Sequence, residues 1–539
     1  MLIIYGMLLL LIYCVIALDS KKSLHMLQQN LYNENNRYLK WIVKNKDLFF
    51  NIQIGSIIIT IIGSFVVAGM ENILDGLVII LVALYAYEVY RLSKLKEEDS
   101  KKEKKPLVIT KRVKRLIFTT TVLYLIPTVI LCVNYKNVSM IWIMLLIISI
   151  ITFLNRFVVL LSNIINYPYE RGVYNYYKIK AKNKLKNMPN LKIVGITGSY
   201  GKTSSKNILA DILNVKYNAL PTPRNLNTYN GLIMTVNNHM DKFTDVFIAE
   251  MGAYVKGEIK GLCDLVHPKY GILTRIGTAH LESFGSEENI QKGKFELIES
   301  LPSDGIGVLN RDDPKQVSYK LKNKVKLVWI GIEAENVDVR ATDIKCNNKG
   351  TTFNIIFKGD KKKYEFQTKL LGKHNVYNIL AAVALGREFG ITVKELQQAV
   401  SSVRAVEHRL ELKRLGNFYM IDDAYNSNPV GAKGAVDVLG MMPGKKIIVT
   451  PGMIELGDKE DEYNKKFGSE IAEVADYAVL IGERHTKPIY EGLIKKGFDK
   501  DHIIVYNDVR EAYKFIETQV GNEEVYALFE NDLPDSYNE

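Results

Sequence analysis

The residues LKIVGITGSYGKTSS, 191–205, are the strongest indication of how most of this chain folds. Apolar residues typical of a buried strand lead directly into a glycine-rich turn, and the next residues, KNILADIL at 206–213, have the apolar spacing of a helix. A strand, a glycine loop and a helix in this order form a cradle for phosphate, because backbone N–H groups and the helix dipole face the anion. The stretch therefore predicts a nucleotide-binding α/β domain.

The side chains of this turn suit a nucleotide. Lys202 supplies a positive charge for the terminal phosphates, and Thr203 offers its hydroxyl to magnesium. The full phosphate-loop pattern has a further glycine at position 196, where this chain has Ile196. The motif is therefore incomplete, and a helix-capping turn is the structural alternative.

Two later segments carry further candidates for metal ligands. The strand pattern DVFIAEMG, 245–252, ends in Glu250, where a carboxylate on a neighbouring parallel strand could reach the same magnesium as Thr203. The segment 269–298 reads as a strand, then His280, then a helix bearing Lys294. Taken alone, a single histidine is more often structural and a single lysine is usually solvated.

The first 165 residues differ in composition from the rest, because they contain long apolar runs. Five runs approach the ~20 residues that a helix needs to cross hydrocarbon: 2–18, 49–69, 74–91, 116–134 and 139–163. Basic residues gather in 19–48 and 92–115, which places both segments in the cytoplasm. Five spans then predict a multi-pass protein of the cell membrane, with the N-terminus outside and the remainder cytoplasmic.

Segment 19–48 also has apolar residues near helical spacing, among them Leu24, Leu27 and Tyr38. This favours an amphipathic helix in contact with membrane lipid, with a polar linker as the alternative. The formal charge of +12 has its source beside the membrane spans. Because no basic stripe interleaved with aromatics follows, nucleic acid is not an expected partner.

A series of motifs over residues 190–530 resembles the Mur ligases of bacterial cell-wall synthesis. In chain order they are TGSYGKTS, IAEMGA, AHLESFGS followed by KGKFE, LNRDD, GKHNVYNILAA, HRLE and IDDAYNSNP. AHLESFGS and DDAYNSNP resemble the MurF branch above all, which adds D-alanyl-D-alanine to a UDP-muramoyl tripeptide. The resemblance implies an ADP-forming amide ligase that uses ATP and Mg²⁺, activates a carboxylate as an acyl phosphate, and lets an amine attack it.

The resemblance also implies roles for individual residues. Those facing the nucleotide would be Gly198, Ser199, Gly201, Lys202, Thr203, Ser204, Asn310, Arg409 and Asp423. Those serving metal would be Thr203, Glu250, His280 and Lys294, the last as a carbamate formed with carbon dioxide. The catalytic set would be Lys202, Glu250, His280 and Lys294. Substrate contacts would be Asn225 and Asn227 for the muramoyl part, and Asn426 and Asn428 for the amine.

Several features depart from the MurF pattern. Membrane helices stand where a soluble MurF has its UDP-binding domain, His408 stands where glycine often precedes the arginine, and Ala424 replaces a serine. The tail LFENDLPDSYNE, 528–539, is also unlike the usual ending.

These departures leave two substrates open. The acceptor is a UDP-linked or a lipid-linked muramoyl peptide, and the amine is an amino acid or a dipeptide. A membrane ligase for another polymer, such as polyglutamate, and a non-enzymatic ATPase switch or scaffold are the alternatives.

We therefore expect three parts. Residues 1–165 form an all-α transmembrane domain. Residues 166–406 form the α/β phosphate-loop domain of a Mur ligase, with a β-rich insertion around 335–370. Residues 407–539 form a smaller Rossmann-like domain.

Overall fold

The computed structural model describes most of the chain and divides it into two compact units, Met1–Tyr176 and Tyr177–Glu539. The described residues are 2–45, 53–65, 71–102, 106–134, 136–424, 428–454, 456, 459–521 and 523–531. The expected domain boundary after residue 165 falls inside a continuous helix, Asn155–Lys186, and the contacts divide the chain later, after Tyr176.

The described part of the first unit is helical. Its α-helices are α1 Leu2–Gln29, α2 Arg37–Lys44, α3 Gln53–Phe65, α4 Glu71–Lys102, α5 Lys111–Val133, α6 Val138–Phe153 and α7 Asn155–Lys186, the last of which continues into the second unit. Three of them contain stretches long and apolar enough to cross a membrane: Ile3–Gln29, Ile73–Glu97 and Lys111–Val133. On α5 the side chains of Phe118 and Val129 are exposed while Tyr124 is buried. A helix that packs against protein on one side and faces lipid on the other is expected to have this arrangement.

The expected count of five spans is not reproduced. The run 139–163 is not one helix, because α6 and α7 are bent by 82° at a break beside Asn155. The Asn155 amide accepts from the Tyr124 hydroxyl and donates to the Asp19 carboxylate, so the bend satisfies a polar group inside an apolar bundle. In the run 49–69, α3 has 13 residues, and the ends of that run lie outside the described residues. Three helices, or four with the bent pair, meet the criteria among the described residues.

Within 19–45, the described part of this segment, the apolar residues Leu24, Leu27 and Tyr38 are covered by protein. Leu24 and Leu27 belong to α1, which continues to Gln29, and Tyr38 belongs to α2. These side chains are buried in one cluster with Val113 of α5 and Val159 of α7. The prediction of a separate helix lying on the membrane surface was therefore wrong, since neighbouring helices remove its apolar face from lipid.

The first half of the second unit is built on a nine-stranded sheet with the order β2-β3-β1-β4-β5-β6-β7-β8-β9. The strands are β1 Lys192–Thr197, β2 Ala219–Pro221, β3 Val246–Glu250, β4 Tyr270–Leu273, β5 Ile306–Asn310, β6 Lys326–Gly331, β7 Val339–Asn347, β8 Gly350–Phe357 and β9 Tyr364–Thr368. Strands β1 to β7 pair in parallel and β7, β8 and β9 antiparallel. The β-rich segment expected at 335–370 is present, and it extends the main sheet.

Helices cover both faces of this sheet. They are α8 Lys202–Leu213, α9 Tyr229–Asn238, α10 Glu258–Val266, α11 Leu281–Phe284, α12 Glu287–Glu299, α13 Pro314–Val317, α14 Lys373–Glu388 and α15 Val393–Ser402. Because side chains alternate along a strand, Val194 and Ile196 of β1 pack with α8 and α14, while Ile193 packs with α9 and α12. This burial on both faces explains the nearly continuous apolar run of β1.

The second half has a six-stranded sheet with the order β10-β11-β15-β12-β13-β14. Its strands are β10 Glu411–Leu415, β11 Phe418–Asp423, β12 Lys445–Thr450, β13 Tyr477–Ile481, β14 Ile503–Tyr506 and β15 Val525–Glu530, and its helices are α16 Pro429–Gly440, α17 Glu460–Ile471, α18 Glu483–Lys495 and α19 Val509–Gln519. Apart from the β10–β11 hairpin the strands are parallel, and Ile447 and Ile448 of β12 face opposite cores. The Rossmann-like prediction is confirmed.

Candidate active site at the carboxyl ends of the parallel strands

The loop 198–201 joins β1 to α8, and its two glycines are required by its shape. Gly198 has φ +154° and Gly201 has φ +80°. A Cβ at position 198 would lie 1.9 Å from Thr274 Oγ1, and one at 201 would lie 2.9 Å from Asn378 Oδ1. A side chain at either position would therefore clash with a neighbour, so only glycine allows this loop shape, which suits a phosphate cradle. Ile196, where the full motif has glycine, is buried inside β1, so the turn begins only after it.

Lys202 closes over this loop. Its ammonium group donates to the carbonyl oxygens of Gly198 at 2.9 Å and Ser199 at 3.2 Å. Burial lowers the pKa of Lys202, the Glu250 carboxylate opposes that shift, and the Arg409 guanidinium adds to it. The ammonium is thus held at the position where a phosphate bound in the loop would meet it.

Glu250, at the end of β3, receives contacts from three side chains. Its Oε1 accepts hydrogen bonds of 3.1 Å from the Thr203 hydroxyl and of 3.1 Å from the Asn227 amide. Its Oε2 lies 3.0 Å from Lys206 Nζ, in an ion pair whose side chains are 2% and 1% exposed. Lys206 is a site residue that the sequence analysis missed. Its spacing could have indicated it, because a lysine four residues after Lys202 lies on the same face of the helix.

Thr203 and Glu250 suit a magnesium ion. Mg²⁺ prefers oxygen ligands, and it is usually held by one or two protein oxygens together with phosphate and water oxygens. Across the described ranges no group of three or more His, Cys, Asp or Glu side chains is arranged to hold a metal ion. The protein would therefore supply only these few oxygens, and the phosphates of a bound nucleotide would supply others.

His280 and Lys294 lie in the same cleft. His280 precedes the short helix α11 with φ +61°, and its ring centroid lies 4.4 Å from that of Tyr254. Burial lowers the pKa of His280, and the ammonium groups of Lys294 and Lys202 lower it further. The imidazole therefore lies near enough to both ammonium groups to be affected by their charge.

Lys294 is unusual because it is buried with no carboxylate in contact among the described residues, and such lysines are rare. Its side chain, on α12, is 2% exposed, and Nζ donates to the Ala253 carbonyl at 3.3 Å. Burial, with the charge of Lys202 second, lowers the pKa of Lys294 to about 7. Much of the amine is therefore neutral, and hence nucleophilic, near neutral pH.

The C-terminal half contributes Arg409 and Asp423. The charge of Arg409 lowers the pKa of both Lys202 and Asp423, so its guanidinium lies near enough to both groups to act on them. Asp423 accepts the Leu410 N–H at 3.1 Å, and burial raises the pKa of its carboxyl to about 7. The structure thus brings the expected arginine toward the nucleotide loop.

The departure at His408 has a conformational explanation. His408 has φ +60°, a region that glycine enters freely and that strains other residues. Its Nδ1 lies 2.9 Å from an Asp422 oxygen, which also accepts from Lys413 at 2.9 Å. The position therefore demands the conformation of glycine, and the contact with Asp422 offsets the strain of the histidine.

The expected substrate asparagines have different surroundings. Asn225 is exposed, and its carbonyl accepts the N–H of Asn227 at 2.8 Å. Asn428 is the N-cap of α16 and accepts the Gly431 N–H at 2.9 Å, so its side-chain oxygen is used in the fold. Asn426 lies outside the described residues. Asn227, which contacts Glu250, is the one that reaches the metal side of the cleft.

Three further expected nucleotide contacts, Asn310, Ser199 and Ser204, have contacts or positions within the fold itself. Asn310 ends β5, and its side-chain oxygen accepts the Asp312 N–H at 2.9 Å. Ser199 donates its N–H to the Arg275 carbonyl at 2.9 Å, and Ser204 lies half-buried in the first turn of α8. Asn310 lies two strands from β1 in the sheet, so an adenine contact there stays a prediction.

A phosphate loop with a carboxylate on the neighbouring parallel strand and a Rossmann-like second half is the organisation of an ATP-dependent ligase of the α/β class. Sequence comparison agrees, since the Mur ligase middle domain matches residues 196–386 and the Mur ligase glutamate ligase domain matches 408–529. The chain belongs to the Mur ligase family.

Named relatives extend this assignment. The chain is 33% identical over 330 residues to the UDP-N-acetylmuramoyl-tripeptide–D-alanyl-D-alanine ligase of Bacillus subtilis, covering 60% of this chain and 70% of the relative. The Escherichia coli ligase of the same name is 32% identical over 318 residues, with 58% and 70% covered. The structure of a MurF ligase from Thermotoga maritima in complex with ADP aligns with TM-score 0.59 and 26% identity, over 66% of this chain and 80% of that one.

Proposed function

We propose that this chain is a MurF-like ligase that adds D-alanyl-D-alanine, or a related amino component, to a muramoyl tripeptide. The substrate carboxylate attacks the γ-phosphate of ATP and gives an acyl phosphate and ADP. The amine then attacks the acyl carbon, an amide bond forms, and inorganic phosphate leaves. The observation that carries this proposal is the glycine loop with Lys202, set beside the Thr203 and Glu250 oxygens.

In this reaction the protein acts by positioning and by electrostatics. Lys202 would stabilise the charge that develops on the transferred phosphate. Thr203 and Glu250 would hold Mg²⁺, which neutralises the phosphate oxygens when bound. Arg409 would approach the nucleotide from the C-terminal half, close to Asp423. Asn225 and Asn227 would face the muramoyl acceptor, and Asn428 the amine, with no side-chain nucleophile required.

For Lys294 we propose carbamylation. The neutral amine adds to carbon dioxide, a proton is released, and a carbamate with two oxygen donors results. Burial and a pKa of about 7 favour this reaction, because an ammonium cannot add to carbon dioxide. The carbamate, together with His280, would then serve a second Mg²⁺.

We place the first unit in the cell membrane as a multi-pass domain, with the N-terminus outside and the catalytic part in the cytoplasm. Three long apolar helices support membrane insertion, and the basic segments 19–48 and 92–115 support the orientation. Cytoplasmic ATP is a further requirement of the proposed reaction. Labelling of single engineered cysteines from either side of closed vesicles tests the orientation.

The apolar helices, which occupy the place of the UDP-binding domain, favour a second candidate: a ligase whose acceptor is a lipid-linked muramoyl peptide held in the bilayer among membrane lipids. The two candidates are separated by mass spectrometry of products formed from UDP-linked and lipid-linked precursors offered with amino acids and dipeptides. Products from the UDP-linked form alone would reject the lipid-linked acceptor.

The ligase activity itself is tested by phosphate release from full-length protein in detergent. A ligase releases phosphate only when both a carboxylate acceptor and an amine are present. Release that ignores both substrates would overturn the proposal in favour of an ATPase switch. A product with repeated glutamate units would instead point to a polymer ligase.

A further inference from the structure

Lys206 contacts two parts of the cleft, the Glu250 carboxylate at the end of β3 and the loop that contains Arg224. It lies on α8 one turn after Lys202, and its side chain is 1% exposed. Nζ lies 3.0 Å from Glu250 Oε2 and donates a 2.6 Å hydrogen bond to the Arg224 carbonyl. One ammonium group therefore connects the metal-side carboxylate with the TPRNLNT segment, residues 222–228.

The 222–228 segment has other attachments to the same carboxylate residue. The Glu250 N–H donates to Thr222 Oγ1 at 3.2 Å, and the Asn227 amide donates to Glu250 Oε1 at 3.1 Å. The Gly252 N–H donates to the Asn227 carbonyl at 2.8 Å. Arg224, which holds Lys206, has φ +48°, so the carbonyl is presented by a strained turn.

Lys206 is the positive partner of Glu250 in the protein itself. A buried ammonium and a buried carboxylate each need the other, because neither is solvated. Glu250 Oε2 has no hydrogen bond within the described residues, so its contact with Lys206 is a charge contact. A divalent cation at Glu250 Oε1 and Thr203 would share the carboxylate charge with Lys206 and repel its ammonium. The Arg224 carbonyl would then be the main acceptor left to Nζ.

We propose that Lys206 is a positioning residue that couples divalent-cation binding at Glu250 to the placement of the 222–228 segment. The bound cation strengthens the hydrogen bond from Lys206 to the Arg224 carbonyl. This bond then orders the 222–228 segment, which carries Asn225 and Asn227. These asparagines would contact the acceptor, so the inference rests on the proposed function. Binding of the metal-bound nucleotide would order the segment that receives the acceptor.

The coupling is tested by hydrogen exchange on the full-length protein in detergent, with ADP, with and without Mn²⁺. In the natural chain, Mn²⁺ should slow exchange of peptides covering 222–228 several-fold, and in Lys206→Met it should not. Mn²⁺ binding, followed by electron paramagnetic resonance, should become about tenfold tighter in Lys206→Met, because the competing cation is gone. Lys216→Met is the matched control, since Lys216 also donates to a backbone carbonyl, that of Gly390, and no carboxylate contacts it in the part of the chain that the structure describes.

Equal effects of Mn²⁺ on the 222–228 peptides in Lys206→Met and the natural chain would overturn the inference. If Lys206→Met fails to fold, the natural chain alone tests the inference. Exchange of its 222–228 peptides that is equally fast with and without Mn²⁺ would also overturn the inference. These measurements do not depend on turnover. Loss of the coupling in an active ligase refutes the inference alone, whereas intact coupling without any amide product refutes the proposed function.

Discussion

The hydroxyl of Thr203, in the first turn of α8, donates a 3.1 Å hydrogen bond to Oε1 of Glu250 at the end of β3. The two residues are 47 positions apart, and the parallel pairing of β1 with β3 brings them together. Their oxygens form the place at which a magnesium ion and nucleotide phosphates would meet.

The shape of the phosphate loop predicts a strong effect of Gly198→Ala. The new methyl group would meet Thr274 Oγ1, which is fixed by a 2.6 Å hydrogen bond to the Tyr200 carbonyl. We expect ADP affinity to fall at least tenfold, measured by calorimetry, and the free energy of unfolding to fall by about 1–3 kcal/mol. Gly257→Ala is the control, since Gly257 also has positive φ but has open space around it. Equal losses of ADP affinity in both variants would show that the clash is irrelevant.

The buried ion pair predicts non-additive effects. Glu250→Gln leaves the Lys206 ammonium buried without its counter-charge, so the free energy of unfolding should fall by about 3 kcal/mol. The double variant Glu250→Gln/Lys206→Met removes that charge and should recover most of the stability but none of the ligase activity. Chemical denaturation and product formation measure the two effects. Simple addition of the single-variant losses would contradict the ion-pair account.

The lysine in the cleft predicts a pH-dependent modification. The pKa of Lys294 is lowered from its ordinary value to about 7, so its neutral form dominates above that pH. At fixed dissolved ¹³CO₂, the carbamate signal in ¹³C NMR should rise through pH 7 and be small below pH 6. Lys294→Ala should lose the signal and the activity, with partial rescue by a short-chain carboxylate.

Lys292→Ala, on the same helix, is the control for Lys294, because Lys292 is paired with Glu288 at the surface. It should keep both the carbamate signal and the activity. Full activity in Lys294→Ala without rescue would remove the carbamate from the mechanism.

Asp423 predicts a stability change with pH. Burial raises the pKa of its carboxyl to about 7, so ionising it in the folded state is costly. The cost is absent below the unfolded pKa near 3.9, grows as pH rises, and is complete above about 7. Asp423→Asn should therefore be more stable than the natural chain at pH 8, by on the order of 2 kcal/mol, and similar at pH 4. Unfolding curves at both pH values check this, with the more exposed Asp437→Asn as control.

Much of the second unit could be read from local pattern. The strand, loop and helix at 191–213, the β-rich segment near 335–370 and the alternating strands after 407 were all predicted, because periodicity and glycine spacing are local properties. The roles of Lys202, Thr203 and Glu250 remain predictions, although the structure brings these side chains together.

Other features depend on contacts that no local pattern records. At the bend, Asn155 contacts Asp19, 136 residues away, and composition alone, which records no such contact, suggested one straight span. In the sequence, Lys206 is one lysine among others on a predicted helix. The fold brings Glu250, at the end of β3, into contact with it. The positive φ of His408 explains why glycine suits this position, and the contact with Asp422 offsets the strain that the histidine adds.

Neighbouring residues encode the phosphate loop, the two α/β halves and the long apolar helices, so each could be predicted from the amino-acid order. Which charged groups are buried near one another became visible in the folded chain: Lys206 with Glu250, and Lys294 near Lys202 and His280. Desolvation and Coulomb interactions depend on distances between strands and helices that are far apart in the chain, and no local pattern contains those distances.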